Sequence, residues 1–233
     1  MDSPVVSCSV GMLVFQGMTN LDFAAPFEVF SRMPGAEVHV IGVDDGVVTC
    51  DTGARLLPTT TIDRCPRLDM IFVGGGPGIN PLMENPPVLA FLAQAGAQVS
   101  WVTSVCTGAL LLGAAGLLRG YKAATHWTAM DVLPAFEVTP VYERVVMDRN
   151  RITAGGVTAG LDFGLVIAGL LHGEQIAHAI QLGMEYDPSP PFAGGSPRSA
   201  PAALVAEVRR RTQQLTDERM EIARRVSAHW PGQ

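Results

Sequence analysis

Cysteines stand at positions 8, 50, 65 and 106, and one of them lies where a thiol can be made to react. Cys106 closes the apolar run Val99-Ser-Trp-Val-Thr-Ser-Val105 and opens the Ala- and Leu-rich run from Thr107 to Leu118. The first run suits a buried parallel strand and the second a helix packed on its sheet, which puts the thiol in the turn between them. A strand that turns directly into a helix presents its junction side chain above the carboxyl edge of the sheet. The free N–H groups of the helix's first turn lie beside it. Those groups favour thiolate over thiol, so a nucleophilic Cys106 of low pKa is expected. The plainer alternative is a small buried core residue, and the Ser104-Val-Cys-Thr-Gly108 turn weighs against it.

Such a nucleophile needs a proton carrier and donors for developing charge. Asp22 follows the polar loop Gln16 to Asn20, where it either caps a helix or serves as the acid and base. A helix starting there accommodates Pro26 only in its first turn. After an apolar strand at Asp69–Val73 comes Gly74-Gly-Gly-Pro-Gly78, a loop able to turn backbone N–H groups toward an anion, or a plain strand-to-helix turn. It is out of register with GxGxxG, which leaves a dinucleotide site unsupported. His126 is a second possible base for the thiol, with a purely structural role as the alternative. His39 reads as a half-buried strand residue. His172 and His178, six apart, fall on different helix faces, and the cysteines form no CxxC. Neither a metal nor an organic cofactor is expected, and Cys8, Cys50 and Cys65 default to reduced structural thiols.

With 233 residues, 48% hydrophobic and 16% charged, the chain can bury one sizeable core, and a single domain over 1–233 is expected. Strands are predicted over Ser7–Phe15, Glu37–Val43, Asp69–Val73, Val99–Val105 and Lys122–His126. Small hairpins are predicted at Val47–Leu57 and Val141–Ala154. Helices are predicted from Asp22, over Ile79–Gly96, over Thr107–Leu118, from Trp127, and from Gly155 to His172. A Pro-rich segment, Met184–Phe192, leads to an amphipathic helical extension at about 200–229 that covers the body. The 33 residues after Ala200 are fewer than a paired helix-turn-helix module needs. A net charge of −6, with no basic run outside Arg209–Arg211, argues against nucleic acid or an acidic membrane as partner and for a small substrate. Met1–Val6 has no basic, apolar export pattern, and no stretch of about 18 uninterrupted apolar residues occurs, so a cytoplasmic protein is expected.

Ser104-Val-Cys-Thr-Gly108, Gly113-Ala-Ala-Gly-Leu-Leu118 and Ala123-Ala-Thr-His-Trp127 together resemble the DJ-1/PfpI superfamily. Leu21-Asp-Phe-Ala-Ala-Pro26, the Gly74–Gly76 loop and Thr153-Ala-Gly-Gly-Val-Thr-Ala-Gly-Leu-Asp162 extend the likeness over most of the chain. The resemblance implies an α/β, flavodoxin-like three-layer sandwich with a mostly parallel central sheet and a cysteine nucleophile elbow. Peptidase, glyoxalase and deglycase members carry a Glu where this chain has Asp22. An Asp there, with Thr after the Cys, resembles the bacterial isocyanide hydratases, which are lyases. That likeness implies Cys106, Asp22 and Thr107 as catalytic residues, a Cys106 thioimidate intermediate, and the Gly76 and Thr107 N–H groups as an oxyanion site. The Thr107 side chain would orient Asp22, and His126, Gly155 and Val157 would flank the site. The implied partners are an isocyanide and water, and the implied assembly is a homodimer. An amidase- or peptidase-like cysteine hydrolase and a non-catalytic ligand- or redox-sensing module are the alternatives on the same fold.

Overall fold

The site hangs on the carboxyl ends of four parallel strands. In the computed structural model, which describes residues 7–230, β1 (Cys8–Val14) leads through α1 (Asn20–Phe30) to β2 (Ala36–Gly42). A hairpin of β3 (Val48–Thr49) and β4 (Arg55–Leu56) precedes β5 (Thr60–Thr61) and β6 (Met70–Val73). Next come α2 (Ile79–Leu82), α3 (Pro86–Gln98), β7 (Trp101–Val105) and α4 (Gly108–Ala114). Beyond β8 (Lys122–Ala123), a 3₁₀ segment (Trp127–Phe136) and β9 (Thr139–Pro140) lie the hairpin strands β10 (Val145–Asp148) and β11 (Arg151–Ala154). The chain finishes with α5 (Ala159–His172), α6 (Glu174–Gly183) and α7 (Ala202–Ser227). The N-terminal export reading at Met1–Val6 lies outside the described residues. Among those described, no helix is long and apolar enough to cross a membrane.

The main sheet runs β10-β11-β7-β6-β1-β2-β5, parallel except for the β10–β11 hairpin. Its central strands are buried on both faces, as their continuous apolar runs require. Helices α1 and α5 pack together on one face, with α6 against α5. Helices α2, α3, α4 and α7 and the 3₁₀ segment form the layer on the other. This is the expected three-layer α/β sandwich. Phe30 of α1, Phe72 of β6 and Phe163 of α5 meet with ring centroids 5.7–6.2 Å apart, which fixes both helices to the sheet.

Local chemistry moves several boundaries. α1 begins at Asn20 with Thr19 in the cap position, so Pro26 sits inside the helix rather than in its first turn. Proline has no N–H, which leaves the Asp22 carbonyl without its usual partner four residues on. Opposite Pro26 stands Gly160, where a Cβ would lie 2.9 Å from Pro26 Cδ, so α1 and α5 approach closely. The helix expected over Ile79–Gly96 is two helices. Asn85 accepts the Val88 N–H at 3.1 Å and Pro86 starts α3, a cap and an N-terminal proline that stop one helix and begin another. The strand expected to reach His126 ends at Ala123, because the Ala124 N–H goes to Thr153 Oγ1 at 2.8 Å. Helix α6 is absent from the elements expected of the sequence, since Gly173 at φ +86° breaks α5 and the chain turns back into a second helix.

Gly108 is the point at which α4 meets the sheet: a Cβ there would collide with the Val73 carbonyl oxygen. Since that neighbour is backbone, it cannot step aside as a side chain would. We expect Gly108→Ala to lower the unfolding free energy by about 1–3 kcal/mol in urea titrations, with a displaced Cys106 turn; unchanged stability would contradict this packing.

Candidate active site

Strand β7 and helix α4 meet at Cys106, which adopts the left-handed backbone conformation (φ +56°) rarely held by a residue with a side chain. Several bonds hold it there. Its N–H lies 3.1 Å from the Ala154 carbonyl and 2.9 Å from that of Gly155, and its own carbonyl accepts the Thr125 hydroxyl at 2.8 Å. The loop from β11 into α5 thus clamps the elbow, which is the part Gly155 plays. The sulfur is hydrogen-bonded by the N–H groups of Thr107 and Val157 and faces the Asp22 carboxyl.

Asp22 is fully buried and does not cap α1, for its Oδ2 accepts the Gly75 N–H at 2.9 Å. Oδ1 is buried without a well-aligned hydrogen-bond partner among the described residues, and the Cys106 thiol is a second donor near the carboxyl. The Gly-rich loop makes this approach possible, since a Cβ on Gly75 would come within 2.5 Å of the Thr107 nitrogen and 2.9 Å of Asp22 Oδ2.

Burial pushes the Asp22 carboxyl up to about 6; the Cys106 thiol and the Gly75 N–H pull it back, and Asp51 adds a small upward push. Burial likewise pushes the Cys106 thiol up, the Asp22 charge pushes it further, and the Thr107 and Val157 N–H groups oppose both. A thiol of low pKa was expected from the helix terminus alone. In the fold, desolvation and a neighbouring carboxylate outweigh those N–H groups, so above about pH 6 the resting pair is a thiol beside a carboxylate.

The other expected residues take definite places. The Gly76 N–H donates to Thr107 Oγ1 at 3.0 Å rather than to the sulfur, so the Thr107 hydroxyl orients the loop and not Asp22. The second donor to sulfur is the Val157 N–H, on a residue at φ +34°. A backbone donor carries no side-chain signature, though the Gly155-Gly156 pair before it marks the tight turn. His126 Nδ1 accepts the Thr128 N–H at 3.3 Å and lies 2.8 Å from Thr128 Oγ1, which places the ring proton on Nε2, against Gly156. Burial, and then the charge of Arg219, lower its pKa to about 4, so it is neutral at physiological pH. His172 and His178 belong to separate helices, α5 and α6.

A cavity of about 290 Å³ lies by Thr125, Gly155 and Val157, the residues that bond the Cys106 elbow; Cys106 and Asp22 are not in its wall. Thr125, His126, Trp127, Met130, Tyr142 and Val157 are in its wall. A roomier cleft of about 450 Å³ lies at the opposite edge of the sheet, by Leu68 and Val99, where Cys65 has no neighbouring base.

The molecule is an α/β protein whose sheet carries an elbow cysteine and a buried carboxyl at its carboxyl edge. Residues 8–169 match the DJ-1/PfpI family, and the chain belongs to it. It is 46% identical over 223 residues to the isonitrile hydratase of Pseudomonas putida, covering 96% of this chain and 98% of that one. A crystal structure of a ThiJ/PfpI family protein from Pseudomonas syringae superposes with a TM-score of 0.92 at 42% identity, covering 94% of this chain and 91% of that one. The HTH-type transcriptional regulator GbdR of Pseudomonas aeruginosa is 32% identical over 180 residues, 74% of this chain but 49% of the regulator.

The carboxyl pKa has a consequence for stability. Folded Asp22 keeps its proton up to about pH 6, whereas the unfolded residue releases it near 3.8. Its contribution is complete below the lower value and is lost as pH rises through the upper one, a swing of about 3 kcal/mol. Asparagine does not titrate. We expect the unfolding free energy of Asp22→Asn to gain on that of the wild type between about pH 4 and about pH 7 in urea titrations. A constant difference would show that Asp22 is not desolvated.

Proposed function

We propose that this protein is an isocyanide hydratase, a lyase that adds water to an isocyanide and releases an N-substituted formamide. The observation carrying this reading is the buried Asp22–Cys106 pair, taken with near full-length similarity to an isonitrile hydratase. The terminal carbon of R–N≡C accepts a soft nucleophile if a proton reaches the same carbon as negative charge develops there. Asp22, a carboxylate beside a thiol, takes the Cys106 proton as sulfur attacks and returns it to the carbon. The S–H bond breaks, S–C and C–H bonds form, and the product is the thioimidate R–N=CH–S–Cys106. Asp22 then takes a proton from water as the oxygen adds to that carbon. The nitrogen is protonated, the C–S bond breaks, sulfur regains its proton, and R–NH–CHO leaves. The Thr107 and Val157 N–H groups stabilise charge on sulfur through both steps. The cavity lined by Trp127, Met130 and Tyr142 receives the R group.

Residues 1–233 act as one catalytic domain in this reading, and the four free thiols support a reducing cytoplasm. The basic run that nucleic acid would require is spent locally: Arg209 lies over Trp127, and Arg210 and Arg211 pair with Glu207. Two copies pair across the α1–α5 face, where Leu21, Val166 and Leu170 are exposed on adjoining helices. Light scattering should give twice 24.7 kDa, and a monomer mass at micromolar concentration would overturn the pairing.

Loss of the isocyanide stretch in the infrared measures turnover directly. With Asp22→Asn we expect turnover to fall about 10²–10⁴-fold while the fold persists, because an amide neither takes nor returns the proton. Asp22→Glu should fall less, since it keeps the carboxyl and shifts only its reach. Near wild-type turnover in Asp22→Asn would remove Asp22 from the reaction and return His126 to consideration. Wild-type protein that hydrolyses amides and leaves isocyanides intact would favour the hydrolase alternative.

A further inference from the structure

The C-terminal helix α7 begins well beyond the family match at residues 8–169, yet it sends one charged side chain into the site. Arg219 is only 4% exposed. Its Nε donates to Asn80 Oδ1 at 3.1 Å and its Nη2 to the Gly76 carbonyl at 3.5 Å. Asn80 is gripped from its other end, where Nδ2 donates to Glu218 Oε2 at 2.7 Å. The residue whose carbonyl Arg219 holds is the one whose N–H holds Thr107 Oγ1. Arg219 is therefore tied through Gly76 to the residue that follows the nucleophile.

A guanidinium out of water is costly unless an anion answers it. Both hydrogen-bond acceptors of Arg219 are neutral amide oxygens, and it forms no salt bridge among the described residues. The buried arginine elsewhere, Arg151, sits at the far end of β11, donating to the Leu117 carbonyl beneath Tyr121. We propose that Arg219 is a positioning residue for the reaction: its fixed positive charge stabilises the anionic Cys106–Asp22 pair, and its hydrogen bond seats the Gly76 peptide against Thr107.

The groups around Arg219 support this division of charge. Glu218, its neighbour on α7, is committed to Asn80, and Glu84, after α2, is committed to Arg225. Asp131 on the 3₁₀ segment lies at an exposed depression with Arg224, and α4 carries no titratable side chain. His126 is neutral, its pKa lowered partly by Arg219 itself, and negative charge on Cys106 favours the protonated guanidinium of Arg219. Cys106 and Glu218 are the anionic groups that act on Arg219, and of the two Cys106 belongs to the site.

The proposal rests on the hydratase reading only for its turnover measurement. Iodoacetamide labelling of Cys106, followed by peptide mass spectrometry across a pH series, needs no isocyanide. Arg219→Gln keeps hydrogen-bond donors and removes the charge; Arg219→Lys keeps the charge. In Arg219→Gln the labelling midpoint should rise by about one pH unit, and isocyanide kcat/KM should fall about tenfold. Arg219→Lys should recover most of the labelling shift. An unchanged labelling profile in Arg219→Gln, or an equal shift in Arg219→Lys, would overturn the assignment. If Arg219→Gln does not fold, Arg219→Lys decides alone: a profile close to wild type supports the charge role, and a shift of about one unit refutes it. Wild-type protein inert toward isocyanides, with the labelling shift present, would sink the hydratase reading and leave Arg219 in place.

Discussion

Two acids, the Asp22 carboxyl and the Cys106 thiol, are buried against each other with backbone N–H groups as their principal hydrogen-bond partners. In such a space both cannot be ionised together without a large electrostatic cost, so the pair carries one proton between them over the neutral range. That sharing dictates what surrounds the pair. The sheet brings β1, β6, β7 and β11 into register so that α1, the glycine loop, the elbow and the α5 entry all open at one edge. Ligands of open α/β sheets bind at that carboxyl edge, beside the point where the strand order reverses.

The elbow is strained. A left-handed residue with a side chain costs of the order of 1–3 kcal/mol, and it persists only where its surroundings over-determine it. Here they do: the Ala154 and Gly155 carbonyls take the Cys106 N–H, Thr125 takes its carbonyl, and Gly108 lets α4 sit directly on the Val73 peptide. The glycines at 75 and 108 act by absence, since a Cβ at either would fill the space that the turn or the carboxyl occupies.

This division explains what could be read from the chain. Cys106 was legible because the change from a strand-like run to a helix-like run is local, and the buried strands announce themselves by continuous apolar residues. Asp22 was legible only as a choice between cap and catalyst, because that choice depends on Gly75, 53 residues away, whose N–H takes the carboxylate. The Val157 donor was hidden because every residue but proline has an N–H, and only the loop's path decides where it points. The same limit misplaced the Gly76 N–H, whose partner is a hydroxyl one loop away. The thiol's pKa went wrong for a related reason: a helix terminus is visible in sequence, while burial and an opposing carboxylate are products of packing. Arg219 escaped notice because it is one arginine among many on an otherwise exposed amphipathic helix, and its burial comes from the contact of α7 with α2 and α4.

In the proposed hydration, the proton removed from sulfur must come back to carbon within one encounter, and the two candidate bases differ in whether they can do this. A histidine would have to become an imidazolium, but burial and the cation Arg219 hold His126 neutral, so it is a poor carrier for that proton at neutral pH. A carboxyl with a pKa of about 6 suits both transfers, being basic enough to relieve the thiol as the S–C bond forms and acidic enough to release the proton immediately afterwards. Burial sets that value by raising the carboxyl, and the Cys106 thiol and the Gly75 N–H keep it from rising further. A further donor on the unpartnered Oδ1 would favour the carboxylate and weaken it as a base. The donors that act on the carboxyl are the Cys106 thiol, whose proton it takes in the proposed step, and the Gly75 N–H.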